Sequence, residues 1–263
     1  LARLLEEGAF RAMARGALPS FTNVNNSSIT TGVPPSVHGI SGNFFLDPQT
    51  GEEVMMNSSS YLRCGTILAA AANAGRKVAM VTAKEKLRDI LSHELDGIAF
   101  SAEKADQARE DTHGISGVEE LVGEGVPEIY SAAASHFVLK AGAALLERGR
   151  ADFLYLSLTD YMQHKFTPEA PESLDFHEAI DHELGRLLDL GAVVGATADH
   201  GMNAKQTPAG EPNVIYLESL LAEELGEGVK VILPITDPYV LHHGALGSLA
   251  YVHLSGAINT RQV

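Results

Sequence analysis

Three short apolar runs restrict the folds open to this chain, because each is followed within two residues by a side chain that can carry charge. The runs are residues 77–82, 151–158 and 192–198. Apolar runs of this length are typical of strands buried on both faces, as in a parallel sheet. Residues 229–233 form a shorter apolar run, which predicts a fourth strand. We therefore expect a sheet that is covered on both sides.

Helical segments alternate with these predicted strands. Residues 61–74, 131–149 and 171–190 show helical patterning, and each has a glycine at or just past its end. Strands that alternate with helices predict an α/β protein with a three-layer αβα core and a mainly parallel sheet.

Two other segments carry weaker patterns. Residues 1–14 place apolar side chains near one helical face, which predicts an amphipathic helix closed by Gly16. Residues 101–128 are polar and weakly patterned, which predicts surface loops and short helix.

The chain begins without Met and without a signal peptide, so we interpret it as a fragment and expect a cytoplasmic location.

The composition excludes several classes of partner and site. The chain has 34 acidic and 19 basic residues and a net charge of −15, which argues against nucleic acid or an anionic membrane as a partner. Cys64 is the one cysteine, so neither an intrachain disulfide nor a cysteine-rich metal site can form. A small anionic substrate remains open, because it needs only local positive charge.

Pairs of Asp and His follow two of the predicted strands, at the sheet edge where open α/β folds bind ligands. Asp160 and His164 follow the second run four residues apart, so a helical turn would place both on one face. Asp199 and His200 follow the third run side by side. Each pair alone is also explained by a helix cap, a turn or a surface histidine. Their joint occurrence favours a shared site.

Carboxylate and imidazole groups together suit zinc, which takes nitrogen and oxygen ligands in proteins. We therefore interpret the two Asp/His pairs as ligands of two Zn²⁺ ions. Two such ions ~3.5–4 Å apart would clamp both sides of an in-line phosphoryl displacement.

Lys84 and Lys86 follow the first apolar run. Their spacing of two directs both side chains the same way if the chain stays extended. Taken alone, they are equally well explained as solvated charges beside the start of a helix.

Thr22 lies at the start of a short polar helix that is predicted to end at Gly32. The unpaired N–H groups and the dipole of a helix N-terminus favour negative charge, so the Thr22 hydroxyl is well placed to meet a phosphate-like group. The alternative is that Thr22 or Asn23 merely caps this helix. His38 follows closely, and we interpret it as a support for this segment rather than a metal ligand.

Three ordered motifs resemble the alkaline phosphatase superfamily, and most closely its nucleotide pyrophosphatase/phosphodiesterase branch. Two of them are Asp160-x-x-x-His164 and Asp199-His200-Gly201, in the order of the metal-ligand motifs of that branch. The resemblance covers residues 19–247 and implies an alkaline phosphatase-like fold. The remaining motif is the nucleophile segment, with Thr22, Asn25, Thr31-Gly32, Pro35, His38-Gly39-Ile40 and Asn43.

The resemblance implies a role for each candidate residue. Thr22 would be the covalent nucleophile and would also contact a zinc ion, and Asn43 would donate a hydrogen bond to a substrate oxygen. Lys84 and Lys86 would hold a carboxylate of the substrate. One zinc would be bound by Asp160 and His164, and the second by Asp199 and His200.

The resemblance also implies a division of the chain. Residues 1–237 would be the catalytic core, truncated at its N-terminal end, and residues 238–263 the start of a smaller cap. The branch uses one further Asp ligand, on a strand that would precede Leu1, and one further His ligand, which would follow Val263. We expect His242 and His243 to line the substrate pocket instead.

The expected function is zinc-dependent hydrolysis of the C–P bond of a small carboxylated phosphonate, through a phosphothreonine intermediate. The expected partner is that small molecule, and neither nucleic acid nor a membrane is expected to bind. Assembly into a homodimer is an open alternative. One alternative is a phosphodiesterase or nucleotide pyrophosphatase, because fold and metals do not decide the substrate. Another is an inactive fragment with incomplete metal sites. The lysine pair favours the first function, since a nucleotide would need aromatic faces.

Overall fold

The computed structural model describes residues 2–226, 228–234 and 249–254, in which short strands alternate with helices. The strands are β1 (Phe44–Leu46), β2 (Glu53–Met55), β3 (Val78–Thr82), β4 (Ile98–Ser101), β5 (Phe153–Ser157), β6 (Val229–Ile232) and β7 (Tyr251–Leu254). The helices are α1 (Ala2–Glu6), α2 (Thr22–Thr31), α3 (Pro35–His38), α4 (Ile67–Asn73), α5 (Glu85–Leu91), α6 (Glu110–His113), α7 (Val118–Val122), α8 (Ala132–Glu147), α9 (Tyr161–Lys165), α10 (Pro171–Asp189) and α11 (Leu217–Leu225).

The central sheet has three parallel strands in the order β4-β3-β5. Met80 in the middle strand is paired with Ala99 on one side and Tyr155 on the other. The strands predicted at 77–82 and 151–158 are therefore confirmed. The strand β4 lies outside the predicted ones, because its four residues are too short a run to be distinguished from a loop by pattern.

Apolar layers cover both faces of this sheet, as its buried strands require. Ala79 and Val81 belong to a cluster with Phe137 of α8. Met80, which points to the opposite face, belongs to a second cluster that includes Ile90 of α5. This alternation follows from the two-residue period of a strand. The three-layer αβα architecture is confirmed.

The helices α8 and α10 match their predictions more closely than α4 does. The segment α8 follows Ser131 and ends before Gly149, and α10 begins at Pro171, a residue favoured in the first helical turn. The predicted helix at 61–74 is shorter in the structure. Thr66 begins α4 as its N-cap by accepting a hydrogen bond from Ala69 N, and a 3₁₀ turn at Ser59–Tyr61 precedes it.

The prediction of a helix over residues 1–14 is wrong. The helix α1 ends at Glu6, and the chain from Ala9 to Gly16 is irregular. Phe10, expected on the buried face, is 93% exposed. A short helix is marginal in water unless its apolar face is packed, and here that face has no such packing among the described residues.

Residues 101–128 are more buried than predicted. The segment contains a 3₁₀ turn at Ala105–Gln107 and the short helices α6 and α7. Its apolar side chains join the core beside α8, including Ile115, Val118 and Leu121. The low density of apolar residues hides this packing, because only one residue in every three or four faces the core.

The predicted strand at 192–198 is wrong. All of these residues are described, and none of them forms a strand. A cavity of about 400 Å³ lies along β5 and is lined by residues 154–160 and 192–199. Val193 is fully exposed. A strand requires a hydrogen-bonded neighbour. The edge of β5 would provide one, but here the cavity lies between that edge and residues 192–198.

The predicted fourth strand exists but pairs elsewhere. Residues 229–232 form β6, which pairs with β7 in an antiparallel ladder separate from the central sheet. Residues 235–248 and 255–263 lie outside the described residues, and with them most of the predicted cap and both His242 and His243. No helix in the described ranges is long and apolar enough to span a membrane.

Candidate active site

Thr22 is the first residue of α2, and its hydroxyl faces the segment that carries the second Asp/His pair. The N-cap of α2 is the buried Phe21, and it makes no side-chain capping bond. The interpretation of Thr22 or Asn23 as a mere cap is therefore wrong. Thr22 Oγ1 instead lies 3.5 Å from His200 Nε2, across 178 residues of sequence.

Asp160 and His164 lie at the carboxyl end of β5, as the spacing predicts. Asp160 precedes α9, and His164 lies one turn later on the same helix. The His164 Nε2 atom is 2.9 Å from Asp160 Oδ2, and both side chains are largely covered. Asp160 lies close to the N-terminus of α2, because His200 contacts both Asp160 and Thr22.

Asp199 and His200 complete the cluster. His200 Nε2 lies 3.6 Å from Asp160 Oδ2 and 3.8 Å from Asp199 Oδ2. The backbone N–H of His200 donates to Asp199 Oδ1 at 3.0 Å. His200 therefore links both predicted Asp/His pairs and the Thr22 hydroxyl.

The surroundings of Asp160 favour its charged form. Burial alone would raise its pKa, but the hydrogen bond from His164 and the charges of Lys84, His164 and His200 outweigh burial. The net effect holds the pKa of Asp160 well below its usual range. Asp160 is therefore a carboxylate at any physiological pH, as a cation-binding role requires.

The two lysines differ in position. Lys84 precedes α5, and its Nζ lies 4.0 Å from Asp160 Oδ1. Lys86 belongs to the first turn of α5 and is exposed. The extended geometry that would direct both the same way does not hold, because the helix begins at Glu85, between them.

Asn43 lies beside the first turn of α2. Its Oδ1 accepts from Asn23 N at 3.4 Å, which leaves the NH₂ group of the amide as its donor. Its backbone is held between two elements, because Asn43 N donates to Pro234 O and Met56 N donates to Asn43 O. Asn43 is thus placed next to Thr22, where a donor to a substrate oxygen is expected.

His38 supports α2 through a contact with Ser28. The backbone N–H of Ile40 donates to His38 Nδ1 at 3.1 Å, so in the neutral ring the proton lies on Nε2. Nε2 then donates to Ser28 Oγ at 2.9 Å. Burial lowers the pKa of His38, which favours this neutral form. The contact agrees with a supporting role and makes His38 a donor rather than a base toward Ser28.

Two residues without a role in the sequence prediction lie directly behind the cluster. Asn26 donates to Asp199 Oδ2 at 3.1 Å and accepts from the Tyr155 hydroxyl at 2.7 Å. A pattern for Asn26 exists in the sequence, because it stands four residues after Thr22 and so lies on the same face of α2. No local pattern connects it to Tyr155, 129 residues away.

The donor types at the cluster fit zinc. Two carboxylate groups and a hydroxyl lie within 4.0 Å of the imidazole nitrogen Nε2 of His200. Nitrogen and oxygen donors of these kinds are those that zinc takes. Within the described ranges, however, no group of three or more His, Cys, Asp or Glu side chains is arranged to hold a metal ion as it stands.

Comparison with known proteins places this fold and cluster in a family. The chain matches the model of the type I phosphodiesterase / nucleotide pyrophosphatase family over residues 1–257, and it belongs to that family. Its three-layer core is of the alkaline phosphatase-like kind.

Two solved structures are similar to this chain. They are phosphonoacetate hydrolase from Sinorhizobium meliloti 1021 in complex with phosphonoformate and the same enzyme in complex with phosphonoacetate. In each case the sequence identity is 50% and the TM-score is 0.94, over 99% of this chain. The match covers 64% of the length of those structures.

Proposed function

We propose that the protein hydrolyses the C–P bond of phosphonoacetate to acetate and phosphate. The contact of Thr22 Oγ1 with His200 Nε2 carries this proposal, because a hydroxyl at a helix N-terminus beside Asp and His side chains is suited to act as a nucleophile with metal ions. The similarity to an enzyme solved with phosphonoacetate supports the choice of substrate.

The chain's own residues account for binding of both ends of this substrate. Asn43 and the first turn of α2 would meet the phosphonate oxygens, and Lys84 would meet the carboxylate. An ammonium group suits the single negative charge at that end. We propose that the exposed Lys86 binds the same carboxylate. A Lys86→Ala variant would test this assignment.

The covalent step begins at Thr22. The Thr22 hydroxyl gives its proton to water as Oγ1 attacks phosphorus. The C–P bond breaks, and its electron pair leaves on the methylene carbon of acetate, which takes a proton from water. Water then attacks the phosphothreonine, releasing phosphate and restoring the hydroxyl. Two Zn²⁺ ions, held by Asp160 with His164 and by Asp199 with His200, would lower the pKa of the hydroxyl and stabilise charge on the phosphonate.

The competing function is cleavage of phosphodiesters, which the family match favours. Zinc-loaded protein should be incubated with phosphonoacetate and, separately, with bis(p-nitrophenyl) phosphate, following phosphate and nitrophenol. Faster turnover of phosphonoacetate is expected. Faster turnover of the diester would replace this proposal with the phosphodiesterase function.

The third alternative, an inactive fragment, is tested by zinc content. Two zinc ions per chain with turnover of phosphonoacetate would exclude it. Substoichiometric zinc together with absent turnover would establish it.

A further inference from the structure

Asp199 occupies an unusual place for a residue of a candidate metal site. Asp160 follows a strand of the central sheet, whereas the segment before Asp199 forms no strand in its described residues 192–198. The sheet therefore does not position Asp199. Its side-chain contacts must do so, and the best placed of them is with Asn26.

Asn26 uses its whole hydrogen-bonding capacity at this point. It is 5% exposed, and its Nδ2 donates to Thr22 O at 3.0 Å and to Asp199 Oδ2 at 3.1 Å. Its Oδ1 accepts from Tyr155 at 2.7 Å and from Ser157 at 3.4 Å. A carboxamide has two donor hydrogens and two acceptor positions, and all four are matched here.

The two hydroxyl groups decide which way the amide points. Tyr155 and Ser157 lie two residues apart on β5 and so present their hydroxyls on one face of the sheet. Burial first, and then the charge of Asp199, raise the pKa of Tyr155, so its hydroxyl keeps the proton that it donates. With the oxygen of Asn26 held on the strand side, its NH₂ group must face Asp199.

We propose that Asn26 is a positioning residue, which transmits the rigid position of β5 to the carboxylate of Asp199. The hydrogen bond to Oδ2, together with the bond from His200 N to Oδ1, orients both carboxylate oxygens. This inference rests on the proposed function, because it makes Asn26 a determinant of zinc affinity at the Asp199/His200 pair. Partners that orient metal ligands typically contribute 10–100-fold to metal affinity.

The test uses the full chain and measures the dissociation constant of Zn²⁺ by competition with a chromophoric chelator. Asn26→Leu keeps the branching of the side chain at Cγ, although leucine is larger, and it removes all four hydrogen bonds. We expect it to raise the Kd of one zinc by about 10–100-fold. Tyr155→Phe is a milder change, which removes only the hydrogen bond to Asn26 Oδ1. It should raise the same Kd by a smaller factor, and it serves if Asn26→Leu does not fold.

The control is Thr30→Val on the same helix. The Thr30 hydroxyl is buried and donates to the backbone carbonyls of Asn26 and Ser27. This variant should lower the thermal unfolding temperature of the metal-free protein and leave the zinc Kd unchanged. A purely structural role for Asn26 would give the same pattern, with unfolding altered and Kd within twofold of the wild type.

The inference and the proposed function fail in different ways. Unchanged zinc Kd in both Asn26→Leu and Tyr155→Phe overturns the inference. Zinc binding that depends on Asn26, without turnover of phosphonoacetate, supports the inference and overturns the proposed function.

Discussion

At the scale of single residues, the position of Thr22 matters more than its intrinsic chemistry. A threonine hydroxyl is a weak nucleophile until a base or a metal lowers its pKa. Here it stands at the N-terminus of α2 and 3.5 Å from His200 Nε2. Both features favour an oxyanion at this one atom.

Thr22→Ala should therefore abolish phosphate release from phosphonoacetate, by roughly 10⁴-fold or more in kcat. Zinc content should stay nearly unchanged, because the Asp and His ligands remain. Release of phosphate would be followed colorimetrically, with zinc measured by atomic absorption. Thr22→Ser keeps the hydroxyl and is the matched control, which should retain measurable turnover. Turnover by the alanine variant at the wild-type rate would remove Thr22 from its role.

His38 makes a prediction about pH. Burial lowers its pKa in the folded state, so folding favours the neutral ring. The stabilisation is present above the unfolded pKa of about 6.5 and is lost as pH falls through the lower folded pKa. The difference in free energy of unfolding between wild type and His38→Gln should be largest above pH 7 and shrink in acid.

Urea unfolding at pH values from 5 to 8 would measure this difference. Only the difference between the two proteins is diagnostic, because wild type and variant share every other ionisable group. A difference that is constant over the range would mean that protonation of His38 is not linked to folding.

At the scale of elements, α2 and α3 build the wall of the site that holds Thr22 and Asn43. The helix α2 ends where the sequence predicts, and its C-cap Gly32 has a positive φ of 71°, a left-handed conformation that glycine adopts readily. The helix α3 ends at Gly39, with φ 88°. This second turn leads the chain toward Asn43, so its geometry affects both the fold and the site.

Gly39→Ala should destabilise the protein by at least about 1–2 kcal/mol, the cost of a left-handed conformation with a side chain. A Cβ at this position would also stand 2.7 Å from Tyr61 O, a backbone atom that cannot move easily. Thermal or urea unfolding would measure the loss.

Gly185→Ala is the matched control. Gly185 lies inside α10, and a Cβ there meets no atom within 4 Å. Alanine should stabilise this helix by roughly 0.5–1 kcal/mol. The same substitution thus has opposite signs at the two glycines, and equal effects at both positions would contradict this account.

At the scale of the whole molecule, the site joins segments that are far apart in the sequence. Thr22, Asp160 and His200 lie on α2, after β5 and on an irregular segment. The zinc ion proposed at Asp199 and His200 would also contact Thr22, and so would link α2 to the irregular segment in the folded state only. Zinc should therefore stabilise the whole fold.

Adding Zn²⁺ to EDTA-treated protein should raise Tm by roughly 5–10 °C for each zinc ion that binds, when free zinc is about 100 times its Kd. Binding at that excess contributes about 2.7 kcal/mol, and 1 kcal/mol corresponds to about 2–4 °C in a chain of this size. Differential scanning calorimetry would measure the shift. Asp160→Ala should reduce it strongly, whereas Asp152→Ala, at an exposed carboxylate, should keep it. Equal shifts in both variants would place the zinc elsewhere.

Local patterns predicted much of the core and part of the site. Buried strands and long helices carry periodicities of 2 and 3.6 residues, which a sequence shows directly. The Asp160/His164 pair is a local pattern too, because both residues lie on one helical turn. The relative direction of Lys84 and Lys86 could not be predicted from local patterns, because it depends on the residue at which α5 begins.

The sequence by itself determined the two covered faces of the sheet, the helix that begins at Thr22 and the residue types of the candidate site. Only the tertiary structure decided that residues 192–198 do not pair, that β6 pairs away from the central sheet, and that Asn26 joins Tyr155 to Asp199. The physical reason is the range of the interactions. Burial periodicity is a property of neighbouring residues, whereas strand pairing and the contact of Thr22 with His200 depend on segments that meet only when the chain has folded.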